Sequence, residues 1–194
     1  REFRLTVGIQ GGVIFDELSG NTNYWAGRKD EETLGYVGGR IDFAVIALLG
    51  SAGSVSTDWG FGGGLRQDLG GGFYLSDSVD YNPQFIGATI LYARCEIQYQ
   101  ARVIFGLDAG IGMAYGNGSK DDPHQPLYFF DWEVEHSSVA LAGLLGLSLD
   151  FFGGSSSKVG WGIGLYTLFA TSSGDNTRHG AIILEPDLHI IFAF

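Results

Sequence analysis

The sequence holds one cysteine, one methionine, four prolines and no apolar stretch long enough for a membrane helix. Cys95 alone can neither form a disulfide within the chain nor build a cysteine-based zinc site. The longest apolar run, residues 43–50, falls far short of the roughly 20 residues a helical span needs. Basic residues are also scarce: 11 Lys and Arg against 22 Asp and Glu give a net charge of −11. Without clustered Lys and Arg to neutralise phosphates, nucleic acid is not an expected partner. No cofactor is expected either. The chain opens at Arg1 inside a strand-like pattern with no secretory leader, and is read as a mature, processed protein.

What the chain does hold is glycine, 32 residues of it, and 14% aromatics. The glycines follow no G-X-Y period, so a collagen-like rod is excluded. The organising signal is alternation, the period-2 mark of a strand with two unlike faces. Phe3, Leu5, Val7 and Ile9 alternate with Glu2, Arg4, Thr6, Gly8 and Gln10. The rhythm returns around Ile41–Leu49, Trp59–Leu65, Phe85–Ile97, Val103–Tyr115, Val139–Phe151, Val159–Phe169 and Ile182–Phe194. Eight segments of about 10 or more residues suit tilted strands crossing a bilayer. Their connections alternate in length. Short ones fall near 51–55, 98–102 and 153–158; long polar ones fall near 19–34, 70–84 and 117–135; a shorter one spans 173–180. Pro186 interrupts the last segment, and a bulge or break around 185–187, or a later strand start, is expected because proline cannot donate to a ladder.

The apolar face is nearly free of charge and ends in aromatics. Phe3, Trp59, Tyr99, Phe151, Trp161 and Phe194 lie near the short connections, and Phe15, Phe85, Tyr115 and Phe169 near the long ones. Two such girdles fit two membrane interfaces. The expected fold is therefore all-β: one domain over 1–194, an eight-stranded antiparallel up-and-down transmembrane β-barrel. The other face would line the lumen with Arg4, Arg40, Asp42, Arg66, Asp68, Arg94, Glu96, Asp108, Glu185 and Asp187, joined by Asp16, Asp58, Asp150 and His189. Charges confined there should pair, because isolated buried charges are costly. A salt-bridged plug is the first expectation. A narrow channel or small polar solute site is the alternative, with the many lumen glycines leaving room for water.

The chain ends His189-Ile190-Ile191-Phe192-Ala193-Phe194. A terminal Phe with apolar residues at every second position, here Phe194, Phe192 and Ile190, resembles the C-terminal signature of bacterial outer-membrane proteins. The whole plan resembles the small eight-stranded barrels, OmpX-like proteins and the OmpA transmembrane domain. That resemblance implies a bacterial outer-membrane location, both termini periplasmic and long loops extracellular. It also implies lipid and lipopolysaccharide as neighbours and the barrel-assembly machinery as a partner in biogenesis. It transfers no functional residues.

Three sets of residues invite chemical readings. Asp121, Asp122, Asp131, Glu133 and Glu135, in the third long connection, are oxygen donors suited to a hard cation, although their spacing matches no binding-loop consensus. His136 and Ser138, two apart, resemble the pair used by outer-membrane lipid A deacylases, with Asp150 as an acidic partner. That carboxylate lies twelve residues from Ser138 along one strand, so the triad fails on distance, and no enzyme is expected. The aromatics of the long connections, among them Trp25, Tyr81 and Trp132, extend strands above the membrane or form a rim for an extracellular protein ligand. The functional expectation is a structural, surface-interaction or adhesive role through those loops.

Overall fold

The computed structural model describes residues 1–15, 34–49, 57–74, 84–100, 102–117, 137–154, 157–174 and 177–194. Eight strands follow one another: β1 (Glu2–Phe15), β2 (Leu34–Leu49), β3 (Thr57–Tyr74), β4 (Gln84–Tyr99), β5 (Val103–Asn117), β6 (Ser137–Phe152), β7 (Val159–Gly174) and β8 (Thr177–Ala193). Each pairs antiparallel with the next, and β8 returns to β1, closing the sheet. Closure follows from chemistry. In hydrocarbon an unpaired backbone N–H or C=O costs several kcal/mol, and only a closed ladder has no edge.

The register fixes the barrel's shape. Following paired residues around the wall from Leu5 leads through Phe43, Leu65, Leu91, Ile111, Gly143, Phe169 and Ile182 to Phe15. One circuit thus climbs ten residues along β1, from Leu5 to Phe15. With eight strands, that stagger corresponds to a tilt of about 40°.

Strand ends differ from the sequence expectation where β3 runs on to Tyr74, inside the connection placed at 70–84, and at the last connection, while the break expected at Pro186 is present. The 173–180 connection shrinks to residues 175–176, because β7 runs to Gly174 and β8 starts at Thr177. Ser173, Arg178 and His179 read as loop by composition, yet they extend the ladder as Ser172↔His179 and Ser173↔Arg178. Pro186 neither delays β8 nor bulges it, and it pairs with Leu165 on the β7 side. On the other side the ladder runs from Gln10↔Asp187 to Val13↔Leu184 without pairing Gly11 or Gly12, and the register resumes unchanged. The missing proline N–H breaks the rungs locally without shifting the strand.

Outward positions are apolar and open. Ile9, Leu91, Ile111 and Leu141 are each more than 60% exposed. A contiguous exposed apolar belt of this size has no place in water and matches the acyl-chain zone of a bilayer. Phe3, Trp59, Tyr99, Trp161 and Phe194 are exposed toward the short-connection end, with Phe151 stacked on Trp161 at 4.7 Å between centroids. At the other end Tyr115 and Phe169 are half-buried; the side chains of Phe15 and Phe85 lie outside the described residues. The belt also carries polar groups, and these satisfy one another. Gln67 Nε2 donates to the Asp68 and Ala88 carbonyls at 2.9 Å each and to the Tyr115 hydroxyl at 2.5 Å, while Thr89 Oγ1 donates to Gln67 Oε1 at 2.7 Å.

Replacing Leu91 by Arg puts a charge in the middle of this belt and is expected to lower the folding free energy in vesicles by ~2–4 kcal/mol. Urea titration of the lipid-folded protein measures it; a loss below ~0.5 kcal/mol would mean that the face at Leu91 is not in hydrocarbon.

Candidate functional site: the filled lumen

Inward positions hold most of the charge that the described residues contain. Arg4, Arg40, Arg66 and Arg94 are buried together with Asp42, Asp68, Glu96, Asp108, Asp150, Glu185 and Asp187. All eight strands contribute to one connected assembly. Arg4 on β1 reaches Glu96 on β4 with a bidentate pair, Nη1 to Oε2 at 2.6 Å and Nη2 to Oε1 at 2.9 Å, and its Nε meets Glu2 at 2.6 Å. Arg94 is the hub. Its Nε donates to Glu96 at 3.0 Å, Nη1 to Asp108 at 3.2 Å, and Nη2 to Ser148 Oγ at 2.9 Å and Asp150 at 2.7 Å. One guanidinium thereby ties β4, β5 and β6 with its fork of fixed donors.

His189 continues the chain. Its Nε2 lies 2.8 Å from Asp150 Oδ1 and its Nδ1 lies 2.6 Å from Asp187 Oδ1. A neutral imidazole has one N–H, so donating to both carboxylates takes one proton more. Arg40 sits within ion-pair reach of Asp42 at 3.0 Å and Asp187 at 3.2 Å. Its Nε and Nη1 lack aligned hydrogen-bond partners, so Coulomb attraction and stacking on Tyr166, 4.5 Å from the ring centroid, hold it. Arg66 covers the same ring at 4.2 Å, donates to Asp68 at 2.8 Å and reaches Glu185 at 2.8 Å, which Gln10 also approaches at 3.2 Å. Two guanidinium groups thus cover the Tyr166 ring, which joins the Arg40 and Arg66 parts of the network. Tyr92 donates to Asp42 at 3.0 Å.

Sequence alternation missed the other half of the filling. Tyr36, Ile46, Ile90, Leu144, Leu168 and Ile183 also point inward and are buried. A narrow lumen holds neither lipid nor bulk water, so volume rather than polarity decides which side chains suit it. The inward glycines serve the same packing and leave no open space. A Cβ on Gly60 would lie 2.6 Å from Glu96 Cγ, one on Gly8 2.6 Å from Asp187 Oδ2, and one on Gly162 2.5 Å from His189 Nε2. Gly146 and Gly164 flank the Tyr166 ring in the same way. These residues have no side chain because a neighbour's large side chain lies flat against the wall there. Among the described residues the lumen shows a cavity of about 10 Å³ among Arg4, Thr6, Arg40, Asp42, Arg94 and His189. That holds roughly one water. A larger concavity, about 580 Å³, lies on the outer wall over Ala93, Ala109 and Gly143 and does not enter the lumen.

The remaining sequence candidates are placed as follows. Asp58 is half-buried at the short-connection end of β3. Asp16, His136 and the acidic set Asp121, Asp122, Asp131, Glu133 and Glu135 lie outside the described residues. Among the described residues no group of His, Cys, Asp and Glu forms a metal site. Asp150 is engaged by Arg94 and His189, whereas Ser138 pairs with Gly116 near the opposite end of β6. At ~3.3 Å per residue the two are ~40 Å apart along the strand. Ile190 and Phe194 face outward and exposed on β8 and just beyond it, and Phe192 pairs with Leu5 and Val159.

No protein-family model matches the sequence, and no curated protein matches it. Two solved structures of Ail, the attachment invasion locus protein of Yersinia pestis, are similar to it. The one in complex with the heparin analogue sucrose octasulfate has a TM-score of 0.45 at 14% identity, and the other 0.44 at 15%. Each comparison covers 97% of both chains. The fold itself rests on the closed pairing above: this is the eight-stranded transmembrane barrel plan of OmpX-like outer-membrane proteins.

Arg94→Leu is expected to destabilise the folded barrel by ~3–5 kcal/mol, since it leaves buried Asp108 without its ion-pair partner and takes one of two partners from Glu96 and Asp150. Arg102→Leu, just outside β5 and exposed, should stay within ~0.5 kcal/mol. Gly162→Ala should cost ~1–3 kcal/mol through overpacking, and Gly154→Ala, where a Cβ meets nothing within 4 Å, close to nothing. Heat-modifiable mobility on gels and urea midpoints in micelles read all four. Equal midpoints for the two glycine variants would contradict the packing account.

Proposed function

We propose that this protein is a plugged outer-membrane barrel whose lumen is structural and whose activity, adhesion or another surface interaction, resides in the connections at residues 16–33, 75–83 and 118–136. The observation that carries this reading is the lumen, crossed by the Arg4–Glu96 and Arg94–Asp150 pairs and filled between them by buried side chains. A solute pathway has no width there. The short connections and both chain ends then face the periplasm, and Ile190, Phe192 and Phe194 present the assembly signal at the periplasmic end of the last strand.

The three long connections hold twelve acidic residues against three basic ones. A sulfated glycan of the kind seen with Ail is therefore a poor partner for this chain, because like charges repel. A protein ligand with a basic surface fits the charge and the aromatics Tyr24, Trp25, Tyr81, Phe130 and Trp132. Divalent cations held between the carboxylates and lipopolysaccharide are a further consequence of that charge.

In planar bilayers the reconstituted protein is expected to give no steady single-channel steps. Sustained conductance steps from the unmodified protein would refute the plug. Shortening residues 118–136 to a glycine-serine turn should abolish binding of bacteria to matrix-coated surfaces while leaving the heat-modifiable band intact. Binding that survives with all three connections shortened would remove the adhesive reading.

A further inference from the structure

We propose that the rim at the short-connection end binds the phosphate headgroups of anionic glycerophospholipids through Arg1, Arg102 and Lys158. The proposal rests on the transmembrane reading above. Of the eight basic residues described, four are consumed in the lumen, Arg178 lies at the opposite end of β8, and these three are exposed on one arc of the rim. Arg102 precedes β5 and its carbonyl accepts from Phe152 N at 2.7 Å; Lys158 precedes β7 and its carbonyl accepts from Ala193 N at 2.8 Å. Arg1 precedes β1, where Phe194 N donates to Phe3 O at 2.9 Å. The arc therefore runs through β5, β6, β7 and β8 to β1. The backbone is fixed and the charged side chains stand free.

Carboxylates at this end do not cancel the arc. Glu2 is engaged by Arg4 at 2.6 Å, and Asp58 lies on β3, opposite Lys158 and outside the β5–β1 arc. The intervening connection at residues 153–157 carries no charge. Beneath the arc lie the stacked Phe151–Trp161 pair and exposed Phe194, which begin the apolar belt. Cations just above interfacial aromatics, continuous with a lipid-facing wall, meet a bilayer at phosphate height. Each basic side chain at an anionic surface adds attraction that salt screens. The connections at the opposite end carry an acidic excess in sequence.

The test uses a folded variant with Trp25, Trp59 and Trp132 changed to Phe, leaving Trp161 as reporter. It is placed in phosphatidylcholine vesicles containing a minor fraction of phosphatidylglycerol, with bromine on the chains of one lipid at a time. Brominated phosphatidylglycerol is expected to quench Trp161 roughly threefold beyond its share of the mixture. That excess should vanish in R102Q/K158Q, persist in Lys120→Gln and fall with added salt in the unmodified background. Quenching in proportion to composition overturns the proposal, as does an excess that survives R102Q/K158Q or is unmoved by salt. Trp161 left unquenched by either brominated lipid defeats the transmembrane reading itself, and the proposal with it.

Discussion

Everything in this molecule depends on the sheet closing on itself. A bilayer offers no hydrogen bonds to a stray amide, so the ladder between β1 and β8 is a condition for the other seven. Closure with a ten-residue climb sets the tilt, and the tilt sets which inward side chains meet across the axis. Arg4 and Glu96 are 92 residues apart in sequence and become bidentate partners only because that stagger brings β1 and β4 to facing positions.

Given closure, the interior has one remaining problem, which is filling. Charged, aromatic and aliphatic side chains share the lumen, and no single chemical type dominates it. Removing four guanidinium groups from water is costly, and each recovers attraction from at least one carboxylate. The network therefore specifies alignment more than it adds stability. A strand slipped by one residue would turn Arg94 or Asp150 toward lipid, a far larger penalty than any single ion pair is worth.

Much of this was legible in the sequence, because period-2 alternation reports directly on a wall with two different environments. Arg40 beside Asp42, Arg66 beside Asp68 and Arg94 beside Glu96 sit two apart on one strand, so their common face follows from pleat geometry alone. The cross-barrel partners were not legible. Nothing local in the chain links Arg66 to Glu185 or His189 to Asp150; register and shear make those pairs. Inward Ile46 and Ile183 were invisible for the opposite reason, since an apolar residue flanked by apolar residues breaks the alternation without revealing which way it points. The glycines misled because their number suggests emptiness, and only coordinates show whose ring or carboxylate occupies the space beside Gly146 or Gly60.

The interruption opposite Pro186 has a further mechanical meaning. Every neighbouring pair except β8 and β1 is tethered by a connecting segment, whereas these two meet only through non-covalent rungs. Theirs is also the seam with two positions, Gly11 and Gly12, left out of the pairing. A cylinder under lateral strain parts along its least-fastened line. That line runs through Gly11, Gly12 and Pro186, and the same line must be the last to zip shut when the chain first curls into a tube.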